Sequence, residues 1–273
     1  MRDLKQLIGL AIILLAIGLG GEAQASLIAH YAFDETNGTI AHDTSGLIDG
    51  TLQGGATFAP GAGINGGAIM LNRTTGDLVN MGDNFGFTSG DFSAEVWVKL
   101  NAGDTVGSVP IGRHYSGIAA GYFVAINDVF DGCSTIGAAH FYAVYPCSGV
   151  SSTVVNDGLW HQLVGVYNST SQRSSIYVDG QFQSSSSGGN IINPISAPFL
   201  VGGITVGGVP TSYYTGLIDE VRLYDNALNA SDVQSLYSNT LTPIPTPEPE
   251  IYTLVGVGLL GILAVRRQQK KGC

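Results

Sequence analysis

The chain has 273 residues, of which 12% are charged, 11 Lys and Arg against 21 Asp and Glu, for a formal net charge of −10. That is about half the roughly 25% usual for a soluble domain, too few charges for a coiled coil or a disordered polyelectrolyte, and the acidic balance excludes a nucleic-acid partner, which needs a basic surface to neutralise phosphates. Glycine, at 39 residues and without a collagen register, is about twice its ordinary usage, so a turn-rich all-β protein is expected.

Residues 1–25 read as a signal peptide. Arg2 and Lys5 precede the apolar run from Leu7 to Leu19, and Ala23-Gln24-Ala25 supplies the small-x-small site for cleavage after Ala25, which starts the mature chain at Ser26. The apolar run is short of the roughly 20 residues that cross a bilayer. Strands are then predicted at Leu27 to Phe33, Ala68 to Leu71, Phe92 to Leu100, Tyr122 to Asn127, Ala139 to Tyr145, Trp160 to Tyr167, Ser175 to Val178, Phe199 to Val201 and Gly216 to Tyr224. Each is rich in β-branched and aromatic residues and ends in turn formers. Their number suits a two-sheet sandwich of the jelly-roll kind. Ser184 to Gly189 reads as a flexible loop by composition. A short helix from Ala230 to Tyr237 is predicted, capped by Asn229, with Asp232 in its first turn and Val233, Leu236 and Tyr237 on one apolar face. No domain linker interrupts residues 26–240, so one domain is expected there. Beyond it come a proline-rich linker (241–250), a mostly apolar stretch from Ile251 to Val265 and the basic tail that starts at Arg266-Arg267 and runs to residue 273. The positive charges fall where the positive-inside rule places a cytoplasmic end, and the apolar stretch suits a transient membrane stage better than a permanent anchor.

Two resemblances follow from these residues. Pro247-Glu248-Pro249, the hydrophobic segment and Arg266-Arg267 resemble the PEP-CTERM sorting signal of Gram-negative bacteria that make exopolysaccharide. The resemblance implies an exosortase-type processing peptidase as partner, cleavage near Pro247-Glu248-Pro249, and release to the cell surface or extracellular matrix. Further in, His30-Tyr31-Ala32-Phe33-Asp34-Glu35, Asp43-Thr44-Ser45-Gly46, Gly66-Gly67-Ala68, the run from Asp157 to Val164, Ile176-Tyr177-Val178-Asp179-Gly180 and the run from Gly216 to Tyr224 occur in that order. Together they resemble the laminin-G-like, concanavalin A-like jelly roll of bacterial surface proteins. The resemblance implies an all-β sandwich of two antiparallel sheets with one short C-terminal helix over residues 26–240.

With both ends removed, residues 26–250 keep five bases and nineteen acids, a net charge of −14, which attracts divalent cations and repels polyanions. Calcium takes hard oxygen donors from scattered carboxylates and carbonyls. The resemblance implies a structural calcium where the first and last strands meet, with Asp34, Asp43 and Asp219 as its candidate ligands. The alternative has Asp43 and Asp49 as turn caps and Asp219 paired with Arg222. Cys133 and Cys147 lie close enough in an exported chain to form a disulfide, worth about 3 kcal/mol for a loop of about 15 residues; two buried free thiols are the alternative. Cys273 lies in the tail that sorting removes.

Catalytic chemistry finds little support. Glycosidases use two carboxylates flanking the scissile bond, and no strand carries a pair on one face; Glu95 reads as an outward, water-facing position. No G-x-S-x-G elbow or H-E-x-x-H motif occurs, and His161 reads as structural. Among the aromatic residues, Tyr115, Tyr142 and Tyr145 are the candidates for stacking on a sugar ring. Tyr142 has the opposite parity to Phe141, so at least one of the two is expected to be exposed. The expected function is that of a non-catalytic surface or matrix protein, not an enzyme, that binds carbohydrate or another matrix component. A hydrolase or lyase on the same scaffold, or a structural surface component without ligand, are the alternatives.

Overall fold

The computed structural model describes residues 26–87, 90–115, 120–127, 135–143, 150–187 and 196–241. Among them, two eight-stranded antiparallel sheets stack face to face and a two-stranded hairpin lies against one of them. The first sheet runs, from edge to edge, β14 (Gln181–Ser187), β13 (Arg173–Val178), β12 (His161–Asn168), β7 (Phe92–Leu100), β18 (Gly216–Tyr224), β5 (Ile69–Leu71) and β4 (Thr57–Phe58); β1 (Leu27–Tyr31) also pairs with β18. The second runs β11 (Val150–Val154), β10 (Ala138–Tyr142), β9 (Ala120–Ile126), β8 (Ser108–Tyr115), β15 (Leu200–Val201), β6 (Leu78–Asn80), β3 (Gly50–Gln53) and β2 (Ile40–Ala41). The first and last strands of the domain are therefore neighbours, as in the expected jelly roll.

Period-two alternation explains the core. Phe92, Ala94, Val96, Val98 and Leu100 on β7 and Ile218, Val221 and Leu223 on β18 are buried against Tyr122, Val124 and Ile126 on β9 and Ala139 and Phe141 on β10. Gly165 on β12 leaves room for the Phe141 ring, whose carbons would collide with any added Cβ.

The helix α1 (Ala230–Leu241) runs one turn beyond the predicted end. Asn229 caps it as expected: its Oδ1 accepts from the N–H groups of Ser231 (2.8 Å) and Asp232 (3.0 Å), while Asp232 Oδ2 accepts from the Asn229 N–H (2.9 Å). Val233 packs with Val164, Val166, Tyr177, Tyr224 and Leu228 on the outer face of the first sheet, and Tyr237 stacks on Trp97 with ring centroids 5.6 Å apart. The helix is a strap over that face.

Three expectations need correcting. Ser184 to Ser187 belong not to a loop but to the edge strand β14, paired residue for residue with β13; the backbone ladder decides what a serine run, with no strong preference of its own, adopts. Glu95 does lie on the outer face of its sheet, yet it is 0% exposed, because Trp97, Gln162 and Arg222 close over it. Tyr142 and Phe141 are both buried, at 4% and 0% exposure. The outer face of the second sheet carries its own small core of Val109, Phe123, Ala125, Tyr142 and Ile204. Ile204 arrives on the hairpin of β16 (Ile204–Val206) and β17 (Val209–Thr211). It seats over Gly112, where an added Cβ would stand 2.6 Å from both the Ile204 side chain and Phe123.

Candidate functional site

The strand β18 breaks its alternation in the middle. Its register with β7 shifts between Asp219 and Arg222, and Glu220 takes a left-handed backbone conformation with φ of 51°. This is a β-bulge, a device that re-aims side chains. Ile218 and Val221 both stay in the core while Asp219 and Glu220, adjacent in sequence, turn different ways, with Asn65 bonded to both.

Asp219 turns to the glycine-rich turn 63–67. Its Oδ2 accepts from the N–H groups of Ile64 (3.0 Å) and Asn65 (3.2 Å), and its Oδ1 from the Glu220 N–H (2.7 Å). Burial and the nearby Glu220 charge outweigh these bonds and push its carboxyl up to about 8. Asp34 reaches the same turn from its far end, accepting from the Gly67 N–H at 2.6 Å. Gly63 is required there, since a Cβ would lie 2.6 Å from Asp219 Oδ2 and collide with the Gly67 carbonyl oxygen. Two of the three aspartates assigned to calcium thus converge on one turn. Asp43 serves another loop: its oxygens accept from the N–H groups of His30 (2.9 Å), Ser45 (2.9 Å) and Ile48 (3.3 Å) and from the Ser45 hydroxyl (2.6 Å). Burial works against its charge, but these bonds outweigh it and hold the carboxyl below its ordinary value. Among the described residues no three His, Cys, Asp or Glu side chains form a metal-binding group.

Glu220 turns the other way, to His30 Nε2 (2.6 Å) and Arg222. Arg222 also reaches Glu95 (3.2 Å), which accepts from Gln162 Nε2 (2.7 Å) and Trp97 Nε1 (3.3 Å). Arg222 therefore pairs with Glu95 and Glu220, not with Asp219. This is a carboxylate pair that strand spacing could not reveal, because its members come from two strands. Both carboxylates share one guanidinium and both are closed to solvent, at 0% and 2% exposure. Burial raises the Glu220 carboxyl, but His30, Arg222 and Asn65 outweigh it and bring it below its ordinary value. His161, read from the sequence as structural, is set between Asp179 (2.7 Å) and Asp157 (3.1 Å).

The three candidate tyrosines do not form one platform. Tyr142 stacks on Phe123 at 4.7 Å with His114 edge-on at 5.7 Å. Tyr115 is half-buried at the end of β8, on the opposite parity to the Gly112, Phe123 and Tyr142 row. Tyr145, Cys133, Cys147, Ala25 and Pro247-Glu248-Pro249 lie outside the described residues, while Ser26 precedes β1. No helix among the described residues is long and apolar enough to cross a membrane.

A feature absent from the sequence reading is a cleft of about 740 Å³ at the end of the first sheet. Met70, Leu217 and Lys99 form its floor, successive members of one row across β5, β18 and β7. Asn72, Thr75, Asn101 and Thr215 ring it with amide and hydroxyl groups. Arg73 fixes the rim, donating to Thr215 Oγ1 from its backbone N–H (2.9 Å) and its Nε (3.0 Å) while pairing with Asp104. Its residues come from five separate stretches of chain, so no local motif announces it.

The sequence profile of the concanavalin A-like lectin/glucanases superfamily, Laminin_G_3, matches residues 72–234, more than half of the chain. No curated protein matches. Among solved structures, domain 4 of AbnA, a GH43 extracellular arabinanase from Geobacillus stearothermophilus, in complex with arabinotriose, is similar with a TM-score of 0.58 at 22% identity, over 78% of this chain and 98% of that one. The binding domain of Paraclostridial Mosquitocidal Protein 1 gives 0.56 at 15% identity, over 78% of this chain and 52% of that one. A mutant of Trypanosoma rangeli sialidase displaying trans-sialidase activity gives 0.55 at 16% identity, over 79% of this chain and 33% of that one. At these identities the likeness concerns the fold. The two-sheet architecture and the profile match agree, and the chain belongs to the concanavalin A-like lectin/glucanases superfamily.

Proposed function

We propose that the chain is an exported, non-catalytic domain that binds carbohydrate of the cell surface or extracellular matrix. The cleft beside Met70 and Leu217 carries this reading: an apolar ledge ringed by amide and hydroxyl side chains matches a sugar, which is apolar on one ring face and polar at its rim. The arabinotriose held by a structurally similar domain is consistent with it. The buried Glu95 and Glu220, both tied to Arg222, favour binding over hydrolysis. Export rests on the two end sequences, Ala23-Gln24-Ala25 and Pro247-Glu248-Pro249.

A structural calcium belongs to the proposal. Asp34 and Asp219 would hold it across the 63–67 turn with main-chain carbonyls, and its charge would take the place of the proton that burial favours on Asp219. A glycan array probed with the protein in calcium and in chelator tests the function. Retention of glycans is the expected result, and an array blank in both conditions would remove the reading.

A further inference from the structure

From the charge inside the cleft we infer that its ligand is an acidic saccharide, a uronate-bearing glycan whose carboxylate pairs with Lys99. The inference rests on the carbohydrate-binding reading and names the substrate class of that same site. Residues 26–241 contain one lysine and four arginines. Arg73 is paired with Asp104, Arg113 with Asp83, and Arg222 with Glu95 and Glu220, while Arg173 donates to the Ser185 hydroxyl at 2.6 Å. Among the described residues Lys99 is the cation with neither an ion pair nor a hydrogen bond, and it stands half-buried on the floor of the cleft.

The surrounding groups point the same way. Asp77 lines the cleft but spends its carboxylate on the N–H groups of Gly55 (2.5 Å) and Asn72 (2.9 Å). Asn72 uses its Oδ1 for the Thr74 N–H and hydroxyl (2.9 and 2.8 Å), which leaves its amide N–H₂ to donate. The Thr215 oxygen accepts twice from Arg73, so its O–H is also left as a donor. Thr75 spends its O–H on the Asn72 carbonyl (3.2 Å) and keeps an acceptor, so the Asn72 amide and the Thr215 hydroxyl are the donors left beside one positive charge, a pairing that suits an anion with further acceptor oxygens. The same outer-face row continues, by the β7–β12 register, from Lys99 to the half-buried Trp160, whose ring lies outside the cleft lining and would extend the row along which a sugar chain packs. A phosphorylated or sulfated glycan shares the anion but not the flat carboxylate, and the comparison below separates them.

Affinity electrophoresis of the full-length protein through gels containing polygalacturonate, alginate or hyaluronan, with methyl-esterified polygalacturonate, dextran sulfate and neutral dextran alongside, tests this. At least one uronate polymer is expected to retard the protein, its neutral methyl ester to do so about tenfold less, and added salt to weaken the interaction. Lys99→Gln should lose that tenfold preference with an unchanged melting curve, and Lys99→Arg should keep most of it. Equal retardation by the ester and the acid, by sulfate and carboxylate polymers, or by wild type and Lys99→Gln would overturn the inference and leave the carbohydrate-binding reading standing. No retardation in any gel together with a blank glycan array would remove both.

Discussion

Replacing Arg222 by Met probes the buried polar seam most directly, because it deletes the only cation that Glu95 and Glu220 share and leaves a side chain of similar length. Glu95 keeps its bonds from Gln162 and Trp97, and Glu220 keeps His30 and Asn65, but neither of the latter carries Arg222's permanent charge. Breaking a buried pair by removing one partner costs about 3–5 kcal/mol. For a domain of this size each kcal/mol moves the melting temperature by about 2–4 °C, so a fall of about 6–20 °C is expected in a calorimetric scan. Urea unfolding should show a lower midpoint with an unchanged slope, the mark of a stability change without a change in compactness. Adding Glu95→Gln and Glu220→Gln to Arg222→Met should recover most of the loss, since it removes the stranded charges and leaves hydrogen-bonding amides. An Arg222→Met melting curve within about 2 °C of wild type, or a triple variant no more stable than the single one, would refute the view that the seam is a charge-balanced unit.

Further outcomes are expected elsewhere. Gly165→Ala should destabilise by about 1–3 kcal/mol in a denaturant titration, because the new methyl group meets the Phe141 ring, and Phe141→Leu should restore part of it. Burial alone would lower the His161 pKa, but Asp179 and Asp157 outweigh it and raise it above the ordinary 6.5. A raised folded-state value means that the stabilisation is full below 6.5 and is lost as the pH rises through the folded-state pKa. Melting temperature should therefore fall as the pH rises from 6.5 through that raised value, and His161→Gln should flatten that slope. Chelation should lower the melting temperature of the wild-type protein, by an amount corresponding to ~2.7 kcal/mol when calcium had been at a hundredfold excess over Kd. Asp219→Ala should erase that dependence, whereas Asp43→Ala should weaken the fold equally with and without calcium; a wild-type curve indifferent to chelator, with no metal in the purified protein, would remove the ion.

The strands that were legible in the sequence are those whose apolar residues alternate against a core. Phe92 to Leu100 and Gly216 to Tyr224 appear with the predicted bounds. Those that were not legible carry breakers or polar runs. In Ser108–Tyr115, Pro110 and Gly112 hide a strand whose register shift between Ser108 and Ile111 accommodates the proline. In Gln181–Ser187, four serines adopt an edge strand because β13 offers a ladder. Of the candidate site, Asp34, Asp43 and Asp219 were read from their motifs as one set, of which the structure brings only Asp34 and Asp219 to one turn; the cleft was not legible, since its floor is assembled across three strands of different sequence position.

By itself, the sequence determined the sandwich, through period-two burial and turn chemistry, together with the helix strap, through the Asn229 cap and its apolar face. Tertiary structure decided which charged groups are spent and which remain. The bulge at Glu220 sends Asp219 to the N–H groups of the 63–67 turn and Glu220 to His30 and Arg222, Arg222 draws Glu95 out of water into a seam, and the second outer-face core buries Tyr142. Lys99 lines the cleft with no ion pair or hydrogen bond to its ammonium among the described residues. Alternation along a strand reports which face a side chain takes; only the packing of other elements on that face reports whether the side chain meets water, a counter-charge or a ligand.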